Sequence, residues 1–275
     1  MKLKVKLKNP INLLLIYLTI LIILALVSRT KDILFLFDSL IKYCLLFICM
    51  YYPQYFLSKL SFVKKYNFKN LIISYLIIIL IVDPSNSYFT FLVIGFLYVL
   101  IKNFITHKSN PILNPSAIST LSSIAIIWIL ASQIPLISWW GVNSGPKFTN
   151  YNISLAFFLT ISFGSFISYR LKKFYYIIAF VIGYILVFTL LNFQSISANQ
   201  ILYFLFEGKL IFYVFVMLIE PNTSPIKTKE QIIFGIIGSI TLTLLIKSGN
   251  AIEPYLLTLI ILNLLFFLKK YLVKD

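Results

Sequence analysis

Read for hydrophobicity, the chain is a series of long apolar stretches separated by short polar breaks. Ten stretches are helix candidates: about 11–28, 33–52, 70–83, 88–106, 116–137, 151–169, 173–192, 201–219, 230–247 and 254–270. A spanning helix needs ~20 apolar residues at a rise of about 1.5 Å each. Most of the ten meet that length. The third is short, and the eighth is apolar without interruption only from Leu210 to Ile219. The breaks are turn residues and lysines, too short to hold a soluble domain. The pattern predicts an all-α integral membrane protein with ten transmembrane helices in one polytopic domain.

Composition agrees: 60% of residues are hydrophobic, 12% are charged, and the mean hydropathy is +0.95. A soluble core cannot absorb that much apolar surface. The opening "MKLKVKLKNP" runs into the first helix without a cleavage pattern, so that helix is expected to remain in the membrane. Cys44 and Cys49 fall inside the second helix. Two thiols make no disulfide framework, and an iron–sulfur cluster needs about four ligands. Their plain role is as small buried apolar residues, the alternative being a site shared with another subunit.

Charge fixes an orientation. With the N-terminus in the cytoplasm, the inside segments carry Lys2, Lys4, Lys6, Lys8, Lys59, Lys64, Lys65, Lys69, Lys102, Lys108, Arg170, Lys172, Lys173, Lys227, Lys229, Lys269, Lys270 and Lys274. Those 18 face only four on the outside, Arg29, Lys31, Lys147 and Lys247. Such a split is the positive-inside pattern, and it predicts a multi-pass protein of the cytoplasmic (inner) membrane with both termini cytoplasmic. The net charge of +16 then reflects orientation and contact with anionic lipids. It does not call for nucleic acid, because there is no soluble basic domain to bind it.

The chain also echoes itself. "IIILIVDPSNSYF" closes the third helix and "VFVMLIEPNTSPI" closes the eighth, each an apolar run, an acid, a proline and then small polar residues. Pro84 and Pro221 are 137 residues apart. The fifth helix opens with Asn114-Pro115 and the tenth with Glu253-Pro254, 139 residues later. Both offsets are close to half the chain. The simplest account is two five-helix repeats, about 1–140 and 141–275. Five is odd, so the second repeat is inverted in the membrane. Matching short, Pro-interrupted helices in inverted repeats point to a ligand site.

Asp83 and Glu220 carry the chemistry of those closures. A carboxylate at a helix C-terminus faces the negative end of the dipole and needs a partner. The plain alternative is that both merely end their helices, helped by Pro84 and Pro221. In that reading Thr228 to Gln231 form a capping box for the ninth helix, and Asn114 is an N-cap with Pro115 at the first helical position. Asp38 and Lys42, four apart, share a helix face and form a candidate intramembrane pair. Glu207 and Lys209, two apart, would not face each other on a helix and mark its outer edge. His107 is expected in a solvated loop. Trp139 and Trp140 sit where an interfacial aromatic belt would place them.

Two segments carry a family resemblance. "NPILNPSAIS" followed by "SWWGVNSG", and "FVMLIEPNTSPIKTKEQIIFGIIGSI", resemble motifs of the NqrB/RnfD family. Members of that family are membrane components of the Na+-pumping NADH:quinone reductase and of the Rnf electron-transport complex. The resemblance implies the ten-helix inverted-repeat fold, a bound flavin, and electron transfer with Rnf/Nqr-like subunits or a ferredoxin or flavin reductase as partners. The family's covalent-flavin motif is absent: Ser144-Gly145 is followed by Pro146-Lys147, and Thr149 is out of register. Riboflavin or FMN is therefore expected non-covalently, if at all. Asn114, Pro115, Glu220, Thr223, Ser224 and Trp140 are the candidate contacts. Asp83 is the repeat counterpart of Glu220, with a structural role. No metal site and no complete active site are expected. The alternative function is a channel or carrier for a small solute or for flavin on the same fold, without redox chemistry.

Overall fold

The computed structural model describes residues 9–28, 33–60, 67–107, 110–145, 153–192, 206–221, 223–249 and 252–272. The described residues form an all-helical chain, apart from one hairpin of two-residue strands. Ten helices are described, in two compact units. The first covers Leu14–Gly145. The second takes the residues from Pro146 onward, together with the first turn of the first helix up to Leu13.

The first unit contains α1 (Pro10–Ser28), α2 (Ile33–Lys59), α3 (Phe68–Ile81), α4 (Tyr88–Phe104) and α5 (Pro115–Ala131). Side-chain oxygens start three of them: Asn67 accepts from Lys69 N, Ser87 from Thr90 N, and Asn114 from Ala117 N with Pro115 behind it. A hairpin, β1 (Thr106–His107) with β2 (Asn110–Pro111), links α4 to α5 and leaves His107 exposed. α2 lies along α4, and Gly95 sets their spacing: a Cβ there would stand 2.7 Å from the Cys49 Cβ. Tyr43, Leu46, Ile78, Ile79, Phe91, Ile94 and Tyr98 make the core around them. Cys44 is exposed and Cys49 half-buried, so only the second approaches the expected buried role.

Two boundaries differ from the hydrophobic pattern. α2 runs on to Lys59 through Pro53, beyond the expected end at 52. α5 stops at Ala131, with Ser132 in the left-handed region at φ 52°, although apolar residues continue to 137. The segment after it is extended and pairs with the end of α3: Asp83 N donates to Leu136 O, and Trp139 N donates to Ile81 O. Satisfying those backbone groups outweighs one more turn of helix.

The second unit contains α6 (Leu155–Arg170), α7 (Phe174–Asn192), α8 (Gly208–Met217), α9 (Thr228–Ser248) and α10 (Pro254–Leu272). Its main contact is α7 against α9. Gly235 allows it, since a Cβ there would meet Phe180 N at 2.9 Å and Tyr176 O at 3.0 Å. α8 is short and irregular: a turn of α-helix over Gly208–Phe212 widens into a π turn over Tyr213–Met217. The stretch 201–205, expected as the start of this helix, lies outside the described residues.

Five helices, α1, α2, α7, α9 and α10, are long and apolar enough to cross a membrane. The other five are shorter and also apolar. Large side chains such as Leu34, Phe37, Phe104, Tyr169 and Leu190 are more than half exposed. Such a surface suits lipid and not water.

Candidate functional site

The third helix ends by handing its last carbonyls to the segment that follows α5. The last carbonyls of a helix lack intrahelical donors. Here Ile81 O accepts from Trp139 N at 3.0 Å, and Ile79 O accepts from the Trp140 Nε1–H at 2.6 Å. Asp83 then closes the turn. Its Oδ1 accepts from Ser85 N at 2.9 Å, and its Oδ2 accepts from Ser138 Oγ at 2.5 Å. Asn86 locks the far strand, with Oδ1 accepting from Leu136 N and Nδ2 donating to Asp83 O and Leu136 O, each at 2.8 Å. Local donors thus answer the repulsion between the carboxylate and the helix dipole.

A lysine grips this loop from α2. Lys42 is buried, and its Nζ donates to Pro84 O at 3.0 Å. The same ammonium pairs with Asp38 Oδ2 at 2.5 Å and lies 5.1 Å from the centre of the Tyr88 ring. The Tyr88 hydroxyl donates to Asp38 Oδ1 at 2.5 Å. Asp38 and Lys42 are therefore one part of a chain of contacts that reaches the Asp83-Pro84 turn.

The second unit repeats the device with different residues. α8 gives way to the loop 220–226. Glu220 Oε2 accepts from Thr223 Oγ1 at 3.1 Å, and Glu220 O accepts from Ser224 Oγ at 2.5 Å. Thr223 O accepts from Asn263 Nδ2 of α10 at 3.1 Å. Lys173, buried in the turn before α7, donates to Ser224 O at 3.0 Å and to Pro225 O at 2.5 Å. Burial pulls its pKa from 10.5 down to about 8. Gln231 Nε2 donates to Lys172 O and Ile226 O, both at 2.8 Å. The carbonyls of Glu220, Thr223, Ser224, Pro225 and Ile226 are thus held by side chains from within the loop and from three neighbouring segments.

Glu220, Thr223 and Ser224 come together in this one loop. Asp83, Lys42 and Asp38 come together in the first unit. Asn114 is buried there as the N-cap of α5, with Pro115 at its first helical position. Two expectations are corrected. Thr228 does not open a capping box: Lys227 is the N-cap, without a side-chain bond, and Gln231 turns to Lys172 and Ile226 instead. Trp139 and Trp140 are no interfacial belt. Both are buried, Trp139 completely, because their N–H groups close α3. One face of Trp140 stacks on Tyr43 with centroids 6.4 Å apart. Its other surroundings form an open cleft of about 380 Å³ with Ser28, Ser138, Asn143, Ser144 and Gly145. Thr149 lies outside the described residues, as do Pro146 and Lys147.

Several working residues carried no signal strong enough to single them out. Lys173 counted only as an orienting charge, and Ser138, Asn86 and Asn263 are ordinary polar residues until the fold brings partners 40 to 55 positions away. Glu207 and Lys209 do converge, on Tyr255: its hydroxyl donates to Glu207 Oε2 at 3.2 Å, and Lys209 Nζ lies 5.4 Å over its ring. The rule that residues two apart diverge applies inside a helix. Glu207 is outside it, as the N-cap. No protein-family model matches the chain, and no curated protein matches it significantly.

Proposed function

We propose that this chain is an RnfD/NqrB-like membrane subunit taking part in flavin-dependent electron transport across or within the cytoplasmic membrane. Its ten helices span the membrane as two inverted five-helix repeats, with both termini cytoplasmic. Riboflavin or FMN is held non-covalently, with one wall formed by the loop from Glu220 to Pro225. Electrons reach it from redox partners, Rnf/Nqr-like subunits or a ferredoxin or flavin reductase. The observation that carries the reading is the recurring closure. In each unit a short helix ends at an acid–proline pair, and a buried lysine holds the carbonyls beyond it. A loop fixed at so many carbonyls is preorganised, which lowers the cost of binding.

The test is a flavin titration of apo-protein, wild type against Glu220→Gln. A carboxylate bonded to ligand N–H or O–H groups is worth about 1.5–3 kcal/mol, so affinity should fall roughly ten- to hundredfold with the protein still folded. Equal affinities would return Glu220 to the role of a loop staple, and no flavin binding at all would end the reading. Reporter fusions test the topology: those after residues 65, 108, 171 and 228 should read cytoplasmic, and one after 145 external. Two reversals would remove the repeat as well.

A second reading, a carrier or channel for a small solute, draws on α5. Ser116, Ser119, Thr120 and Ser123 lie on one helical face, all buried, and the Thr120 hydroxyl has no hydrogen-bond partner among the described residues. Flavin-free protein that equilibrates a small polar solute across liposomes would favour it.

A further inference from the structure

The proposed function makes no use of the cleft beside Trp140. Its volume of about 380 Å³ is within the range of small-molecule pockets, about 300–1,000 Å³. Three parts of the first unit line it: Ser28 at the end of α1, Ser138 and Trp140 after α5, and Asn143, Ser144 and Gly145 in the turn that follows. Trp140 and Ser144 are each 7% exposed.

The floor of the cleft is fixed to α3. Trp139 lies in the left-handed region at φ 52°, where a bulky residue is an outlier, and the chain bends there into the 3₁₀ turn Trp140–Asn143. Gly141 of that turn lies so close to α3 that a Cβ would stand 2.3 Å from Leu80 Cδ2. Trp139 N and the Trp140 indole both donate to α3 carbonyls. Backbone strain of this kind persists only where its surroundings over-determine it, and it clusters at ligand clamps.

The hydrogen bonds of the lining select the ligand. Ser28 Oγ donates to Ala25 O at 2.7 Å, Ser138 Oγ to Asp83 Oδ2 at 2.5 Å, and Ser144 Oγ to Gly141 O at 2.7 Å. The Trp140 Nε1–H is spent on Ile79 O. The three hydroxyls therefore offer the cleft acceptor lone pairs, and a ligand that bonds to them brings O–H or N–H donors of its own. None of the six lining residues is charged. An ion entering would lose water without a counter-charge in the lining to replace it. A neutral molecule with several hydroxyls supplies donors to the serines and accepts from the Asn143 amide. Its weakly positive C–H groups suit the indole of Trp140.

We infer that this cleft is a binding site for a small uncharged polyol or sugar. The site lies wholly within the first unit and rests neither on the flavin reading nor on the topology.

Isothermal titration calorimetry of the purified full chain, in a detergent without a sugar headgroup, tests it. D-Glucose and ribitol are the probes, with D-gluconate and N-methyl-D-glucamine as charged counterparts. At least one neutral probe should bind saturably, and the charged molecules should bind at least ~10-fold more weakly. Ser28→Ala and Ser144→Ala each remove an acceptor and should weaken binding about three- to tenfold. Asn143→Leu replaces an amide of the lining with an apolar side chain and should abolish binding. If Ser144→Ala does not fold, Asn143→Leu and Ser28→Ala decide, because both positions are exposed. No saturable binding of either neutral probe overturns the site. Equal binding of a charged counterpart overturns the assignment to uncharged ligands. Wild-type affinity in both Asn143→Leu and Ser28→Ala places the ligand elsewhere and overturns the cleft as its site.

Discussion

Replacing Lys173 with methionine keeps the length and apolar volume of the side chain while removing its ammonium, and pH then reads out what the ammonium does. In the folded chain Lys173 titrates near 8, while an unfolded lysine titrates near 10.5. Below pH 8 both states are protonated, and the folded state carries the full cost of holding the charge away from water. Between pH 8 and 10.5 the unfolded chain binds a proton that the folded chain has released, so stability rises with pH. Above 10.5 both states are neutral. At ~1.4 kcal/mol per pH step, the gain across the window is at most roughly 3 kcal/mol. The neutral amine still donates to Ser224 O and Pro225 O, so those bonds survive the titration. The methionine variant lacks both the bonds and the titration. Thermal midpoints of the two proteins in the same detergent at pH 7.5, 8.5, 9.5 and 10 give a difference in which other titrating groups cancel. That difference should widen with pH in favour of the lysine protein, by up to roughly 6–12 °C at about 2–4 °C per kcal/mol. A flat or narrowing difference would refute the account of Lys173 as a donor buried against the preference of its own charge.

Gly235→Ala should cost at least ~1–3 kcal/mol, because its methyl meets backbone atoms of Tyr176 and Phe180 that no rotamer can move; loss of the monodisperse peak on size exclusion is the readout. Gly249→Asn should be nearly silent in the same assay, since that position has φ 66° and open space around it. Trp140→Phe keeps an aromatic ring but leaves Ile79 O without its donor, and should lower stability by about 1–3 kcal/mol in thermal unfolding. Asp38→Asn should cost less than ~1 kcal/mol, because its carboxylate is 37% exposed, whereas Lys42→Met also strips Pro84 O and should cost more; the reverse order would show that the pair, and not the loop, is what Lys42 serves.

The helices were legible wherever one local force set them. Apolar runs located all ten, and the acid–proline pairs marked where α3 and α8 give out, although α2 carries Pro53 without stopping. The N-cap at Asn114 was equally local. The readings that differed needed partners far away in sequence. Ile134 and Leu136 have the hydropathy of a helix, yet their segment is extended because α3 leaves backbone groups to be paired. Trp139 and Trp140 have the composition of an interfacial belt. Burial versus interface depends on Ile79 and Ile81, and those lie 58 to 61 positions earlier. Gln231 fits the spacing of a capping box, but two carbonyls outside that motif offer it better bonds. In the candidate loop, Glu220, Thr223 and Ser224 were readable as a motif. Lys173 and Asn263, which hold that loop in place, were not.

The closure of α3 by residues 136–140 also constrains how the protein is made. α3 leaves the ribosome as a short apolar helix with unpaired carbonyls and a carboxylate at its end, while the residues that satisfy them are still unsynthesised. Trp139 follows Ile81 by 58 positions. At about 5–20 residues per second, that is a delay of roughly 3–12 s. During it, α3 is a poor candidate for stable insertion by itself, and the groups at its end need water or a holding factor. The first unit therefore matures as a whole, after its last turn has emerged. A nascent chain truncated before Ser138 should stay protease-sensitive around Asp83, and one extended past Gly145 should not.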